Sequence, residues 1–134
     1  MLNLDQLRVD TKAESEGAWF TLTCGMRVKL ARASEHAVSA AVRDELGDEG
    51  LLALRKGKLS AEQLKRVQNI AIGRASVRDW EPVDCYGGEF LFSQDNLLRL
   101  LRDDGLHDIR DEIGRLADSS MSFREAFLRD AEKN

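Results

Sequence analysis

The stretch VRDWEPVDCYGGEFLFSQDNLLRLL, from Val77 to Leu101, decides how we expect the chain to fold. A long helix is predicted to end just as this stretch begins, because Pro82 pushes the residue before it out of the helical region. Tyr86-Gly87-Gly88-Glu89 predicts a tight turn, since glycine tolerates positive φ. Ser93 is a good N-cap for a new helix with a leucine-rich face. The stretch therefore predicts a helix, an aromatic corner, a turn and a second helix.

The strongest strand signal precedes this stretch, between residues 18 and 32. Ala18 to Cys24 is rich in β-formers, Gly25 is a turn residue, and Met26 to Arg32 alternates apolar and basic side chains. This pattern predicts a β-hairpin with one buried face and one wet face. Two strands alone are only marginally stable, so the hairpin has to pack on helices or pair with another strand.

Several further segments have the apolar spacing of amphipathic helices. Their approximate ranges are 34–46, 61–77, 94–103, 106–117 and 122–127. Gly47 to Gly50 ends the first, and residues 51–55 predict a short helical turn or the start of another element, closed by Gly57. Capping boxes mark two starts: Ser60 with Gln63, and Ser122 with Glu125.

The chain is predicted to be one small α+β domain. It has 134 residues, of which 43% are hydrophobic and 33% charged, a balance typical of globular proteins. Residues 1–17 are polar without a clear period and predict a mobile or partly ordered N-terminal arm. Residues 18–134 predict a single α+β domain, in which an N-terminal β-hairpin packs on four or five helices.

Charge and hydropathy exclude several classes of function. A net charge of −4 argues against sequence-independent nucleic-acid binding, which requires a basic face. The basic cluster of Arg55, Lys56 and Lys58, with Lys65 and Arg66, is typical of a solvated surface. No window approaches the length of a membrane helix, and the first residues lack the pattern of a signal peptide. We therefore expect a cytoplasmic protein that binds neither nucleic acid nor membrane.

No pattern in the sequence indicates an enzyme, a metal site or a cofactor. His36 and His107 each lie near a predicted helix start without a cysteine or histidine at ligand spacing. Cys24 and Cys85 are far apart in sequence and are predicted to be free thiols. Cys85 lacks a nearby histidine or helix N-terminus that would activate its thiol as a nucleophile. We predict no catalytic, cofactor-binding or metal-ligating residue.

Aromatic and leucine side chains remain as candidates for partner binding. The aromatic residues of the corner fit two interpretations, a core between helices or a surface that stacks on a partner. The last predicted helix carries more large apolar residues than a polar tail requires. The candidate partner-binding residues are Trp80, Phe90, Phe92, Phe123, Phe127 and Leu128.

The order of motifs around the corner resembles that of the tail assembly chaperones of long-tailed bacteriophages. These motifs are Asp79-Trp80-Glu81, a glycine turn, Phe90-Leu91-Phe92-Ser93 and a leucine-rich helix, preceded by the hairpin. The resemblance covers Gly17 to about Phe127. The chain departs from the family pattern at Pro82, where members often carry glycine, and at Leu91, where they often carry proline.

The resemblance implies a non-enzymatic chaperone that binds the long, helical tape measure protein. It implies that the chaperone keeps apolar segments of this partner soluble before the tail tube polymerises, and that tail tube protein then displaces it. Self-association and often a longer product of ribosomal frameshifting are also implied. Such a protein acts in the bacterial host cytoplasm and is absent from the finished virion.

The sequence also fits a different class of binding protein. A small phage or prophage adaptor or inhibitor would bind one globular host protein stoichiometrically. Stoichiometry separates the two interpretations, because a chaperone places many copies on an extended helical ligand.

Overall fold

The structure, a computed structural model, describes residues 1–124 and confirms the predicted α+β class. The helices are α1 (Thr11–Glu16), α2 (Glu35–Arg55), α3 (Ala61–Ser76), α4 (Gln94–Arg102) and α5 (His107–Ala117), and residues 120–124 are also helical. The strands are β1 (Ala18–Thr21), β2 (Arg27–Leu30), β3 (Val77–Trp80), β4 (Val83–Cys85) and β5 (Gly88–Phe90).

The strands form two small antiparallel sheets. β1, β2 and β3 form one sheet in that order, so β2 is its central strand. Val28 on β2 lies opposite Phe20 of β1 and opposite Trp80 of β3. The other sheet is the hairpin of β4 and β5, in which Val83 lies opposite Phe90. Because it has a neighbour on both sides, β2 fixes the position of the whole first sheet.

β3 is a strand that the sequence did not predict. The helix before it ends at Ser76, within the predicted limits, but the following residues pair with β2 instead of forming an irregular corner. Val77 and Trp80 point into the core, and the residues between them are exposed. Pro82 favours extended backbone before it, which suits a strand. β3 thus supplies the additional pairing that a two-stranded hairpin needs.

A kink at Gly47 divides α2. This glycine has φ 65° and ψ −176°, a conformation that residues with a side chain rarely adopt. The sequence predicted that the helix ends here, and the structure confirms it: Gly47 has non-helical backbone angles, and a second helical segment that ends at Arg55 follows it directly. The kink leaves two segments, residues 35–46 and residues 48–55, and no residue of the second segment is buried.

Part of the N-terminal arm is attached to the core. Residues 1–17 contain a 3-10 turn at Leu4–Leu7 and the helix α1. The Asp10 carboxylate caps α1 by accepting a hydrogen bond from the Ala13 N–H at 2.9 Å. Ala13 is buried, and the Asp10 N–H donates to the Phe123 carbonyl at 3.4 Å.

The core lies where the three-stranded sheet meets α3, α4 and α5. Side chains from all of these elements form one buried cluster, which includes Phe20, Val28, Leu30, Ile70, Trp80, Leu97, Leu101 and Ile113. α3 and α4 approach closely at Gly73, where an added Cβ would lie 2.5 Å from Leu101 Cδ2. A glycine is needed at this position because Leu101 is itself fully buried and has no space to move.

The N-caps show where local sequence determined the helix starts. The hydroxyls of Ser34 and Ser93 cap α2 and α4, and Ser60 forms the predicted capping box at α3. The capping box predicted at Ser122 and Glu125 was wrong. The helix there starts earlier, at residue 120, and the Ser119 hydroxyl accepts a hydrogen bond from the Met121 N–H at 3.2 Å. Ser122 is buried inside the helix, and Glu125 lies outside the described residues.

Candidate functional site

The aromatic residues of the corner form a cluster inside the protein. Trp80 stacks on Phe90 with ring centroids 5.3 Å apart and meets Phe92 edge-on at 5.0 Å. The Trp80 indole N–H donates to the Phe90 carbonyl at 3.0 Å. Trp80 and Phe90 are buried and Phe92 is half-buried. Of the two sequence interpretations, the structure supports the core for Trp80 and Phe90, and contact of these rings with a partner stays a prediction.

The remaining predicted partner contacts also lie away from an open surface or beyond the described chain. Phe123 is fully buried and meets Phe20 edge-on, with ring centroids 5.6 Å apart. Phe127 and Leu128 lie outside the described residues. A further candidate for a partner surface lies elsewhere within residues 1–124.

An open groove runs along one face of α3. It consists of two adjoining cavities of about 630 and 690 Å³, whose linings share Gln68, Ile72 and Asp118. α3 also contributes Lys65 and Asn69. The four α3 residues follow the i, i+3, i+4, i+7 spacing of a single helix face, which covers about 10 Å of helix length. We call this surface the α3 groove.

The side of the α3 groove toward α2 carries most of its apolar residues. Val38, Val42, Leu51 and Leu54 of α2 line it together with Ile72 of α3. None of these five side chains is buried. The groove therefore exposes apolar side chains next to the polar residues Glu35, Ser39 and Arg43, a combination that is typical of a protein-binding surface.

The side toward α5 is polar and carries an excess of negative charge. The lining of the whole groove contains five carboxylates and three cations. The carboxylates are those of Glu35, Asp108, Asp111, Glu112 and Asp118, and the cations are Arg43, Lys65 and Arg115. The electrostatic potential of the groove therefore favours a cationic ligand.

Two of these carboxylates are held in place by the fold and two are not. Glu112 accepts hydrogen bonds from the N–H and the hydroxyl of Thr23, and Asp111 accepts one from the Asn69 amide at 2.9 Å. Asp108 is almost fully exposed, with only His107 beside it, and Asp118 forms no ion pair with any residue of 1–124. Asp108 and Asp118 are consequently available to a ligand.

A charge cluster fixes the first segment of α2, residues 35–46, against α3. Glu45 of α2 binds Arg74 of α3 at 2.9 Å and Arg102 of α4 at 2.6 Å. Its hydrogen bond raises the pKa of Arg102 above the ordinary value. Glu45 is nearly buried, whereas the neighbouring Asp44, which also binds Arg74, is exposed. The single carboxylate of Glu45 thus joins three helices.

A second cluster joins α3 to the connection between α4 and α5. Asp104 begins a 3-10 turn, Asp104–Leu106, and accepts hydrogen bonds from Arg66 and Arg110, each at 2.8 Å. Arg110 is buried and also donates to the Leu101 carbonyl at 3.0 Å. The hydrogen bonds from Arg66 and Arg110 hold the pKa of Asp104 below its ordinary value of 3.8.

The lowered pKa of Asp104 predicts how stability depends on pH. The interaction is fully present above pH 3.8, the ordinary pKa, and is lost as the pH falls through the lower pKa of the folded state. We expect the native chain to be more stable than Asp104→Asn at neutral pH, and the difference to shrink below about pH 4. Urea denaturation of both proteins at neutral pH and at about pH 3 measures it.

The exposed residue Asp48 provides the control for this titration. Asp48→Asn is expected to remain within about 0.5 kcal/mol of the native chain at both pH values. A difference between the native chain and Asp104→Asn that stays constant with pH would contradict the assignment of the effect to this carboxylate.

A smaller cavity of about 370 Å³ lies beside the β4–β5 hairpin. Cys24 and Cys85 both line it, together with apolar side chains such as Phe90 and Leu100, and both thiols are free. The described residues that line this cavity include the carboxylate of Asp84 and no histidine. Within residues 1–124 no group of three or more histidine, cysteine, aspartate or glutamate side chains is placed to hold a metal ion.

Tyr86 fastens this hairpin to α4. Its hydroxyl donates to Asp103 at 2.7 Å, and the Arg99 guanidinium lies 3.6 Å from the centre of its ring. Burial and the bond to Asp103 raise the pKa of Tyr86 to about 12. The tyrosine is therefore a structural hydrogen-bond donor at neutral pH.

The sequence missed the residues that line the apolar side of the α3 groove. The pattern at Val38 and Val42 predicts an ordinary helix face, and residues 51–55 predict a short helical turn or the start of another element. One signal could have indicated the groove: Leu51, Leu52 and Leu54 are three leucines in four residues, more than one face of a helix can bury.

Comparison of the chain with protein-family models, curated proteins and solved structures finds no match. Among the helices within residues 1–124, none has the length and apolar content to cross a membrane. The α3 groove and the motifs around Trp80 are therefore the observations from which a function has to be inferred.

Proposed function

We propose that this chain is a phage tail assembly chaperone, a non-enzymatic protein that binds the tape measure protein and keeps it soluble before the tail tube polymerises. The observation that carries the proposal is the α3 groove, whose apolar lining on α2 is uncovered by any residue of 1–124. An open apolar groove between helices suits recognition of a helical segment.

The motifs around the corner support this choice of partner. Asp79-Trp80-Glu81, the glycine turn and the Phe-Ser helix start resemble those of tail assembly chaperones. A shallow groove binds any single segment weakly, but copies aligned along one long ligand gain avidity. Weak individual binding also permits release, which a chaperone needs when tail tube protein displaces it.

The proposal includes the location and the further partners of the chain. It acts in the cytoplasm of the bacterial host, associates with further copies of itself on the ligand, and is absent from the finished virion. Tail tube protein is the second partner, because it takes over the tape measure surface that the chaperone leaves.

Co-expression with the long helical protein encoded beside this gene tests the proposal. We expect the neighbour to be insoluble when expressed alone and soluble together with this chain. Affinity purification followed by native mass spectrometry is expected to show many copies of the chain on each partner. The same neighbour co-expressed with an unrelated small protein is the control for expression level.

Two results would contradict the proposed chaperone function. One is a neighbour that stays insoluble in the presence of this chain. The other is capture of one globular host protein at near-equal stoichiometry, which would favour the adaptor.

A further inference from the structure

We propose that the ligand of the α3 groove is an amphipathic α-helix with an apolar face and a basic edge. The apolar face would contact the α2 side of the groove, and the basic edge would lie along α5. The inference deepens the proposed function and rests on it, since it names the kind of segment that the chaperone recognises.

The walls of the groove determine that the ligand is helical. α2, α3 and α5 surround the groove, so it presents side chains and no strand edge. A ligand in extended conformation would find no backbone partners there, and its own N–H and C=O groups would lose water without replacement. A helix satisfies these groups internally and brings only its side chains to the surface.

The unburied leucines of α2 determine the apolar face of the ligand. Leu54 lies in the groove lining and remains 37% exposed, and Leu51 and Val42 beside it are only half-buried. No residue of 48–55 is buried, although this segment is helical and leucine-rich. A ligand with apolar side chains at i, i+3 and i+4 would remove this surface from water.

The carboxylates near α5 determine the sign of the charged edge. Asp108 and Asp118 are exposed, and within residues 1–124 neither forms an ion pair with a lysine or arginine. Asp118 belongs to the linings of both cavities and therefore stands where the apolar and polar sides meet. Lysine or arginine on the ligand, one helical turn from its apolar face, would reach these carboxylates.

Two synthetic peptides test the charge of the ligand. Both are amphipathic helices of about 18 residues with the same leucine face, one with lysine and the other with glutamate along the edges. By fluorescence anisotropy we expect the lysine peptide to bind about tenfold more tightly than the glutamate peptide. Raising the ionic strength from about 0.1 M to about 1 M is expected to reduce this ratio. Equal binding of the two peptides would overturn the inference.

Two pairs of exposed residues on the protein locate the binding surface. Leu54→Glu alters the groove, whereas its control Leu52→Glu alters a leucine of α2 that is 51% exposed and does not line the groove. Asp118→Lys reverses a groove charge at the C-terminal end of α5, where a cation suits the helix dipole, and Glu49→Lys is its control at an exposed position of α2.

The expected pattern is specific for the α3 groove. Leu54→Glu and Asp118→Lys should each weaken the lysine peptide about tenfold, and the two controls should leave its affinity unchanged. Asp118→Lys should also strengthen the glutamate peptide. If a variant and its control lost equal affinity for the lysine peptide, the peptide would bind at a surface other than the α3 groove. Self-association that Leu54→Glu abolishes, without peptide binding, would show that a second copy of the chain covers the groove.

The inference and the proposed function fail in different ways. If this chain solubilises the neighbouring protein and its Leu54→Glu variant does so equally well, the proposed chaperone function is supported, but the α3 groove is not the surface that binds the neighbour. If the lysine peptide binds in the groove but the neighbouring protein stays insoluble, the inference about the ligand is supported and the proposed chaperone function is contradicted.

Discussion

Trp80→Ala is expected to lower the free energy of unfolding by about 4 kcal/mol, close to the largest effect of any single truncation. Trp80 is 3% exposed, stacks on Phe90 and meets Phe92. Removal of the indole leaves a cavity between β3 and β5 and takes away the donor of the Phe90 carbonyl. Urea denaturation followed by far-UV circular dichroism measures the change.

The other tryptophan of the chain provides a matched control. Trp19 lies on β1 and is 37% exposed, so Trp19→Ala is expected to change stability by less than about 1 kcal/mol. Trp80→Phe retains most of the ring and loses the N–H, and a loss of about 1.5 kcal/mol is expected for it. Equal effects of Trp80→Ala and Trp19→Ala would contradict the burial of the corner.

Glu45→Ala is expected to lower the free energy of unfolding by about 2 kcal/mol. The carboxylate is 8% exposed and binds guanidinium groups from two other helices, so its loss removes a contact shared by α2, α3 and α4. Arg74 and Arg102 keep access to solvent, which limits the effect below that of a fully buried ion pair. Thermal and urea denaturation both report this change.

The adjacent carboxylate, Asp44, distinguishes the effect of burial on stability from the effect of charge. Asp44 also binds Arg74, but its side chain is 65% exposed. Asp44→Ala removes the same charge and is expected to cost less than about 1 kcal/mol. If the two alanine variants lost equal stability, the position of Glu45 between three helices would not be the cause.

Local sequence predicted the parts of the fold that depend on neighbours along the chain. The hairpin strands, the serine caps at Ser34, Ser60 and Ser93, and the end of α3 follow from residue types only a few positions apart. These features are independent of where the rest of the chain lies, and a single sequence therefore suffices to predict them.

Features of the fold that depend on contacts between distant residues could not be predicted from local sequence. β3 became a strand because the edge of β2 was there to pair with it, and residue spacing does not report an available edge. The same limit applies to the candidate site. Phe123 and Leu54 are both apolar residues of helices, yet tertiary packing buries the first and leaves the second in an open groove. Sequence pattern alone does not distinguish them.

The kink at Gly47 has a consequence for the dynamics of the groove wall. The segment after it, residues 48–55, is about two turns long and contributes no buried side chain. A helix of this length is unstable by itself in water, because few hydrogen bonds repay its nucleation. The free energy needed to open this segment is therefore far below that of global unfolding, and its amide hydrogens exchange before those of α3. The wall that carries Leu51 and Leu54 can adjust to ligands of different shape while the rest of the domain stays folded.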